Sequence, residues 1–105
     1  MILTPMMIAD SPCSIPDKDV TIAQAATPGY PDSAKDLGLG YLVVLVEVTV
    51  QPDGQVTKAL VQQSSQNFAV DQAAVKAARA TTYSPKIVGC QAITGIFIFR
   101  ADFRP

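Results

Sequence analysis

The chain has 105 residues, of which 49% are hydrophobic and 16% are charged, with a formal net charge of −1. This length is typical of one domain with a buried core. The charge balance excludes the basic footprint that nucleic-acid binding needs, so we predict no nucleic-acid partner. No run approaches the ~20 apolar residues of a membrane helix. A surface so poor in charge favours an apolar patch for a partner.

Residues 1–18 are predicted to form an irregular N-terminal segment, and residues 19–105 the folded domain. The first 16 residues contain three of the eight prolines and show no periodicity. The first ten lack the basic region of a signal peptide. We interpret them as a tail left by excision or cloning, or as the end of a longer natural segment. A short extra strand is predicted at Asp19–Ala23.

The two cysteines, Cys13 and Cys90, leave two interpretations open. They are either unrelated thiols or one bridge between the N-terminal segment and the loop before the last strand. A bridge would stabilise the fold by roughly 4 kcal/mol on the chain-entropy model and would imply an oxidising compartment. The chain has no histidine, and two thiolates are half of a zinc ligand set, so no metal or other cofactor is predicted.

A short helix is predicted from Tyr30 to Gly38. Pro31 fits its first position, because the N–H that proline lacks would have no partner there. Ala34 and Leu37 share one face of this helix. Gly38 is typical of the residue that follows a helix C-terminus.

The clearest local signal is a β-hairpin between residues 42 and 61. β-Branched residues fill both arms, which favours strands. Pro52, Asp53 and Gly54 predict a type I turn followed by a left-handed glycine. Alternation breaks in the second arm, so we expect a β-bulge near Thr57 and Lys58.

A second helix is predicted from Phe68 to Thr81, with Asn67 as its N-cap. Its apolar stripe consists mostly of alanine, so the helix can approach a sheet closely. The last strand is predicted from about Ala92 to Phe103. Its aromatic residues alternate with a second set that faces away from the core, namely Thr94, Ile96, Ile98, Arg100 and Asp102.

The order helix-strand-strand-helix-strand predicts an α+β fold. We expect a three-stranded antiparallel sheet with two helices on one face and the extra N-terminal strand beside it. The last strand lies antiparallel to the first hairpin strand. It then forms the sheet edge, with a row of unpaired N–H and C=O groups.

Several short motifs, in order along the chain, resemble one known family. They are Tyr30-Pro31 with Ala34, Gly40, the stretch Val48–Val56, Ser64-Ser65 with Asn67, Asp71, Ala73 and Ala74, and Tyr83-Ser84-Pro85. Over residues 27–103 the chain resembles the TonB C-terminal domain, the periplasmic end of bacterial energy transducers.

This resemblance implies a domain that grasps an extended segment, the TonB box, of an outer-membrane transporter. The edge strand would offer its backbone to that segment. Thr94, Ile96, Ile98 and Arg100 would flank the guest. Tyr30 and Pro31 would contribute, as similar positions do in the family. Force would come from an inner-membrane proton-channel complex through an N-terminal anchor that this sequence lacks, so the full-length protein is expected in the periplasm, anchored in the inner membrane.

Two other functions compete with this one. A self-associating structural module would use the same edge strand for a homodimer, because an apolar edge pairs readily with its own copy. Ile96 and Ile98 would then form a dimer interface or a second buried face. Catalysis is not predicted and no catalytic residue is assigned, because the chain has no histidine and Glu47 is its only glutamate.

Overall fold

The computed structural model describes residues 13–105, and within them it has two helices and seven strands. In chain order these are β1 (Thr21–Gln24), α1 (Asp32–Lys35), β2 (Leu42–Val50), β3 (Val56–Gln63), α2 (Phe68–Ala80), β4 (Thr82–Ser84), β5 (Lys86–Val88), β6 (Gln91–Ile93) and β7 (Gly95–Phe103). None of the helices in the described part is long and apolar enough to cross a membrane.

The central sheet has three antiparallel strands in the order β3-β2-β7. The register between β2 and β7 is unbroken, from the pair Leu42 and Phe103 to the pair Val50 and Gly95. The last strand therefore lies beside the first hairpin strand. The predicted α+β fold, with an additional N-terminal strand, is confirmed.

The turn between β2 and β3 has the predicted geometry. The N–H of Gly54 donates to the Gln51 carbonyl oxygen, and the N–H of Gln51 donates to the Gln55 carbonyl oxygen, both at 2.8 Å. Gly54 has a φ of +87°, as a left-handed glycine after a type I turn requires. The Asp53 carboxylate accepts the Gln55 N–H at 3.0 Å and closes the loop.

The predicted bulge in β3 is also confirmed. Val50 pairs with Val56 and Thr49 with Lys58, which leaves Thr57 as the extra residue. A second shift in register, which was not predicted, lies farther along β3 between the partners of Leu45 and Val46.

Both helices cover one face of the sheet. The valines of even number in β2, from Val44 to Val50, are fully buried there. The buried residues of α2 that pack on this face are small, namely Val70, Ala74, Ala77 and Ala78. Because three of these four are alanine, the helix lies close to the sheet. The aromatic face of β7 completes the core with Phe99 and Phe103.

Helix α1 is shorter than predicted. It spans Asp32–Lys35, and Pro31 is its N-cap with an extended ψ of 141° instead of its first helical residue. Only Ala34 is buried, while Leu37 is 59% exposed. One turn presents only one face residue to the core, so the expected pairing of Ala34 with Leu37 does not occur. Gly38 is left-handed, with a φ of +68°, but the prediction that it directly follows the helix was wrong, because α1 ends at Lys35 with Asp36 as its C-cap.

Two small antiparallel pairs flank the sheet. Strand β1, slightly later in the chain than Asp19–Ala23, pairs with β4. Strands β5 and β6 form a hairpin that was not predicted. The single last strand from Ala92 to Phe103 was therefore wrong in detail. Its first residues pair with β5 and not with β2, and Thr94 separates β6 from β7.

Cys13 and Cys90 form a disulfide, with Cα atoms 5.6 Å apart, so the bridged interpretation is confirmed. Lys18 and Ile87 exchange two backbone hydrogen bonds of 3.0 Å nearby. The Asp17 carboxylate accepts the Gly89 N–H at 2.9 Å. Residues 13–18 are thus tied to the β5–β6 hairpin. The rest of the predicted N-terminal segment lies outside the described residues, and the boundary at residue 18 stays a prediction.

Candidate functional site: the open edge of the sheet

Strand β7 has one edge paired with β2 and one edge without a strand partner among residues 13–105. The unpaired side of β7, which we call the open edge, is nine residues long. An edge of this kind is a template for a further strand, since its backbone donors and acceptors are not used inside the sheet.

The register decides which backbone groups point to the open edge. Gln51 faces the β3 side of the hairpin, because its N–H donates to Gln55 and its C=O accepts from Gly54, the two residues that lead into β3. Backbone groups change side with each residue along a strand. The even-numbered residues of β2 therefore face β7. Their partners in β7 are of odd number, from Gly95 to Phe103. The N–H and C=O groups of Ile96, Ile98 and Arg100 consequently face outward.

The side chains of these residues lie on the sheet face opposite the helices. Ile96 is 58% exposed and Ile98 is 39% exposed. Leu60 in β3 is 51% exposed on the same face and lies across Glu47 from Ile98. Among residues 13–105, Ile96 and Ile98 therefore do not belong to a second buried face.

Arg100 belongs to a polar cluster at the far end of the open edge. Its Nε donates to the Asp102 carboxylate at 2.8 Å, and its terminal nitrogen donates to the Tyr41 hydroxyl at 3.3 Å. The guanidinium of Arg104 lies 4.8 Å from the centre of the Tyr41 ring. The hydrogen bond from Arg100 holds the pKa of the Asp102 carboxyl below its ordinary value.

Arg100 was predicted as a site residue, but the two residues that hold it, Tyr41 and Asp102, were not, and neither was Arg104, which lies over the Tyr41 ring. One signal was available, because Arg100 and Asp102 are two residues apart on a strand and share a face. The contact with Tyr41 spans 59 positions of sequence and has no local signal.

Tyr30 and Pro31 do not lie beside the isoleucines of the open edge. The Tyr30 hydroxyl donates to the Gly40 carbonyl at 3.0 Å, and its ring meets Phe103 edge-on with centroids 6.2 Å apart. The Pro31 carbonyl accepts the N–H groups of Ala34 and Lys35 in α1. Phe103 is at the opposite end of β7 from Ile96, so Tyr30 supports the core under the last part of the strand.

Thr94 is the remaining predicted site residue. It is exposed and lies between β6 and β7, just before the open edge begins. The structure thus brings Ile96, Ile98 and Arg100 onto one edge, places Thr94 next to them, and separates Tyr30 and Pro31 from them. No group of three potential metal ligands occurs in the part of the chain that the structure describes.

A family model described as the Gram-negative bacterial TonB protein C-terminal matches residues 26–105. The chain belongs to the TonB C-terminal domain family. The match includes the whole central sheet and both helices of the described residues. No curated protein matches the chain.

Membership defines the general class of the protein. TonB C-terminal domains are periplasmic transduction and binding modules that interact with TonB-dependent transporters, and they are not a known enzyme family. The chain is thus a TonB-like periplasmic domain. Cys13 and β1 precede the matched region, so the disulfide joins a segment outside it to the hairpin inside it.

Proposed function

We propose that this domain binds the TonB box of an outer-membrane transporter as a fourth strand along the open edge of β7. The observation that carries the proposal is the set of outward backbone groups on Ile96, Ile98 and Arg100, which have no strand partner among the described residues. Strand addition uses such groups for affinity and makes little demand on the sequence of the guest.

Side chains along the edge supply the selectivity. A guest strand would place alternate residues beside Ile96 and Ile98, where apolar groups bury exposed surface at roughly 25 cal/mol per Å². Near Arg100 the guest would meet charged groups already held by Asp102 and Tyr41. Tyr30 would act indirectly, by supporting Phe103 at the end of the same strand, and Pro31 by holding α1.

In the full-length protein, this binding would couple the transporter to a proton-driven complex in the inner membrane through an N-terminal anchor. The family is the support for this role. The disulfide agrees with the oxidising periplasm.

Proline at position 98 tests the proposal directly. Ile98→Pro removes one outward N–H without removing a bond to β2. We expect its affinity for a synthetic TonB-box peptide to fall at least ~10-fold, measured by isothermal titration calorimetry. Ile98→Val, which keeps the N–H and an apolar side chain, should bind within about threefold of wild type.

Exchange of the Ile98 amide hydrogen in the wild-type chain gives a second measurement that does not depend on how the proline variant folds. Added peptide should slow this exchange. Unchanged binding by a folded Ile98→Pro variant, with no added protection at Ile98, would reject strand addition at this edge.

A homodimer through the same edge is the competing function, and the exposed isoleucines favour it. Sedimentation velocity over a range of protein concentrations distinguishes the homodimer from a monomer that binds the peptide. A tight dimer that does not bind TonB-box peptides would support the structural module and contradict the transducer function.

A further inference from the structure

We infer that the open edge continues past Gly95 and across Thr94 onto β6, so that the partner is an extended segment long enough to pair with both Ala92 and β7. This inference rests on the proposed function and deepens it, because it defines the length and position of the bound strand. It depends on the direction in which the backbone groups of β5, β6 and β7 point.

The backbone of β6 points away from β5 at Ala92, as the turn before this strand shows. Gly89 and Cys90 have φ values of +59° and +66° and join β5 to β6 as a two-residue turn. In such a turn the flanking residues, Val88 and Gln91, form a doubly hydrogen-bonded pair. Gln91 therefore faces β5, and the next residue, Ala92, faces away from it.

The hydrogen bonds of Ile87 independently show that the backbone of Ala92 points away from β5. Ile87, which lies opposite Ala92, exchanges both of its backbone hydrogen bonds with Lys18. Its N–H and C=O point away from β6. In an antiparallel pair the two opposite residues behave alike, so the N–H and C=O of Ala92 point away from β5.

Strands β6 and β7 follow one another in one extended line through Thr94. Thr94 joins β6 to β7 without a turn, and its φ is not positive. Ile93 and Gly95 are two residues apart, so their backbone groups point to the same side of an extended chain. Ile93 faces β5 and Gly95 faces β2. Strands β5 and β2 thus lie on one side of a single extended line. Its other side, from Ala92 to Asp102, has no strand partner among residues 13–105.

The β5–β6 hairpin is held in a fixed position next to Gly95. A Cβ atom at Gly95 would lie 2.7 Å from Val20 Cγ2 and 2.9 Å from Lys86 Cβ. The absent side chain thus lets β5 and the segment before β1 pack directly on the junction. The disulfide of Cys90 and the Lys18–Ile87 pair hold the same hairpin. A fixed hairpin reduces the ordering cost of binding.

The occupant that fits is an extended segment with apolar residues beside Ile96 and Ile98 and with no proline opposite Ala92. All three side chains of β6 are exposed, so the guest meets no obstruction from them. A short guest would use only the β7 part of the edge, and a long guest would use both parts.

Three synthetic peptides test this: a TonB-box peptide limited to seven residues, and the same box extended by six residues at either its N-terminus or its C-terminus. One extended peptide should bind wild-type protein about tenfold more tightly than the short one, because each added hydrogen bond contributes a few-fold. Ala92→Pro should remove this gain and leave affinity for the short peptide unchanged. Ala92→Val, which keeps the N–H, should retain the gain.

Hydrogen exchange at Ala92 supplies a measurement on the unmodified chain. The favoured extended peptide should protect the Ala92 amide, and the short peptide should not. Equal affinity for all three peptides, with no protection at Ala92, would overturn the inference and leave the proposed function intact. Failure of every peptide to bind, or protection of neither Ala92 nor Ile98, would overturn the proposed function and this inference with it.

Discussion

At the scale of single residues, the residues that form the family motifs are not the residues that form the open edge. Tyr30 and Pro31 belong to the first of the family motifs along the chain, yet Tyr30 holds Phe103 and Pro31 bonds to α1. The edge residues Ile96 and Ile98 carry no motif beyond alternation. Alternation suffices to put their side chains on one face. Their backbone direction needed the register with β2, which depends on residues far away in sequence.

Gly95 illustrates a residue whose role sequence could not predict. It reads as one position of an alternating strand, but its missing side chain lets Val20 and Lys86 approach the backbone. We expect Gly95→Ala to lower the free energy of unfolding by ~1–3 kcal/mol, as overpacking commonly does. Urea unfolding measures this. The matched control is Gly29→Ala, where no atom lies within 4 Å of the added Cβ. Equal stability of the two variants would contradict the close packing.

At the scale of secondary structure, the N-terminus of α2 is fixed by several side-chain hydrogen bonds. Asn67 accepts the Val70 N–H at 3.1 Å, as its N-cap prediction required. Asp71 accepts hydrogen bonds from the Ser64 hydroxyl and from both the N–H and the hydroxyl of Ser65. Burial tends to raise the pKa of the Asp71 carboxyl, but these hydrogen bonds outweigh it and the pKa is lowered from 3.8.

The lowered pKa of Asp71 sets a pH dependence. Since the folded pKa lies below the unfolded one, the stabilisation is present above about pH 4 and is lost as pH falls through the folded value. Asp71→Asn should cost about 1 kcal/mol near pH 7, and the difference from wild type should shrink at lower pH.

Thermal unfolding at pH 7 and at pH 3 tests this dependence. The exposed Asp36→Asn variant controls for a general loss of charge. A difference for Asp71→Asn that stays constant with pH would refute the contribution of the carboxylate.

At the scale of the whole molecule, the disulfide joins the segment before β1 to the turn between β5 and β6. It spans 77 positions of sequence and fixes the β5–β6 hairpin beside the open edge. Cys90 occupies a left-handed position with a φ of +66°, a conformation that costs an ordinary residue about 1–2 kcal/mol. The bridge thus offsets a local strain that glycine would avoid.

Two variants separate the bridge from the strain. Replacement of both cysteines by serine should lower the free energy of unfolding by ~2–4 kcal/mol. The variant with Cys13→Ser and Cys90→Gly should recover about 1 kcal/mol of that loss, because glycine adopts the turn conformation without strain. Chemical unfolding of the two variants and the oxidised wild type measures both effects. If the double serine variant equals wild type, the bridge does not stabilise the domain.

The sequence by itself determined what depends on neighbouring residues. The turn at Pro52-Asp53-Gly54, the bulge at Thr57 and the cap at Asn67 follow from local hydrogen bonds and allowed dihedral angles, so they were predicted correctly. The family followed from such motifs in order. Only the tertiary structure decided that the open edge extends from β7 to β6. This extension depends on which side of the chain β2 and β5 occupy, and their pairing is a contact between distant segments that no local pattern encodes.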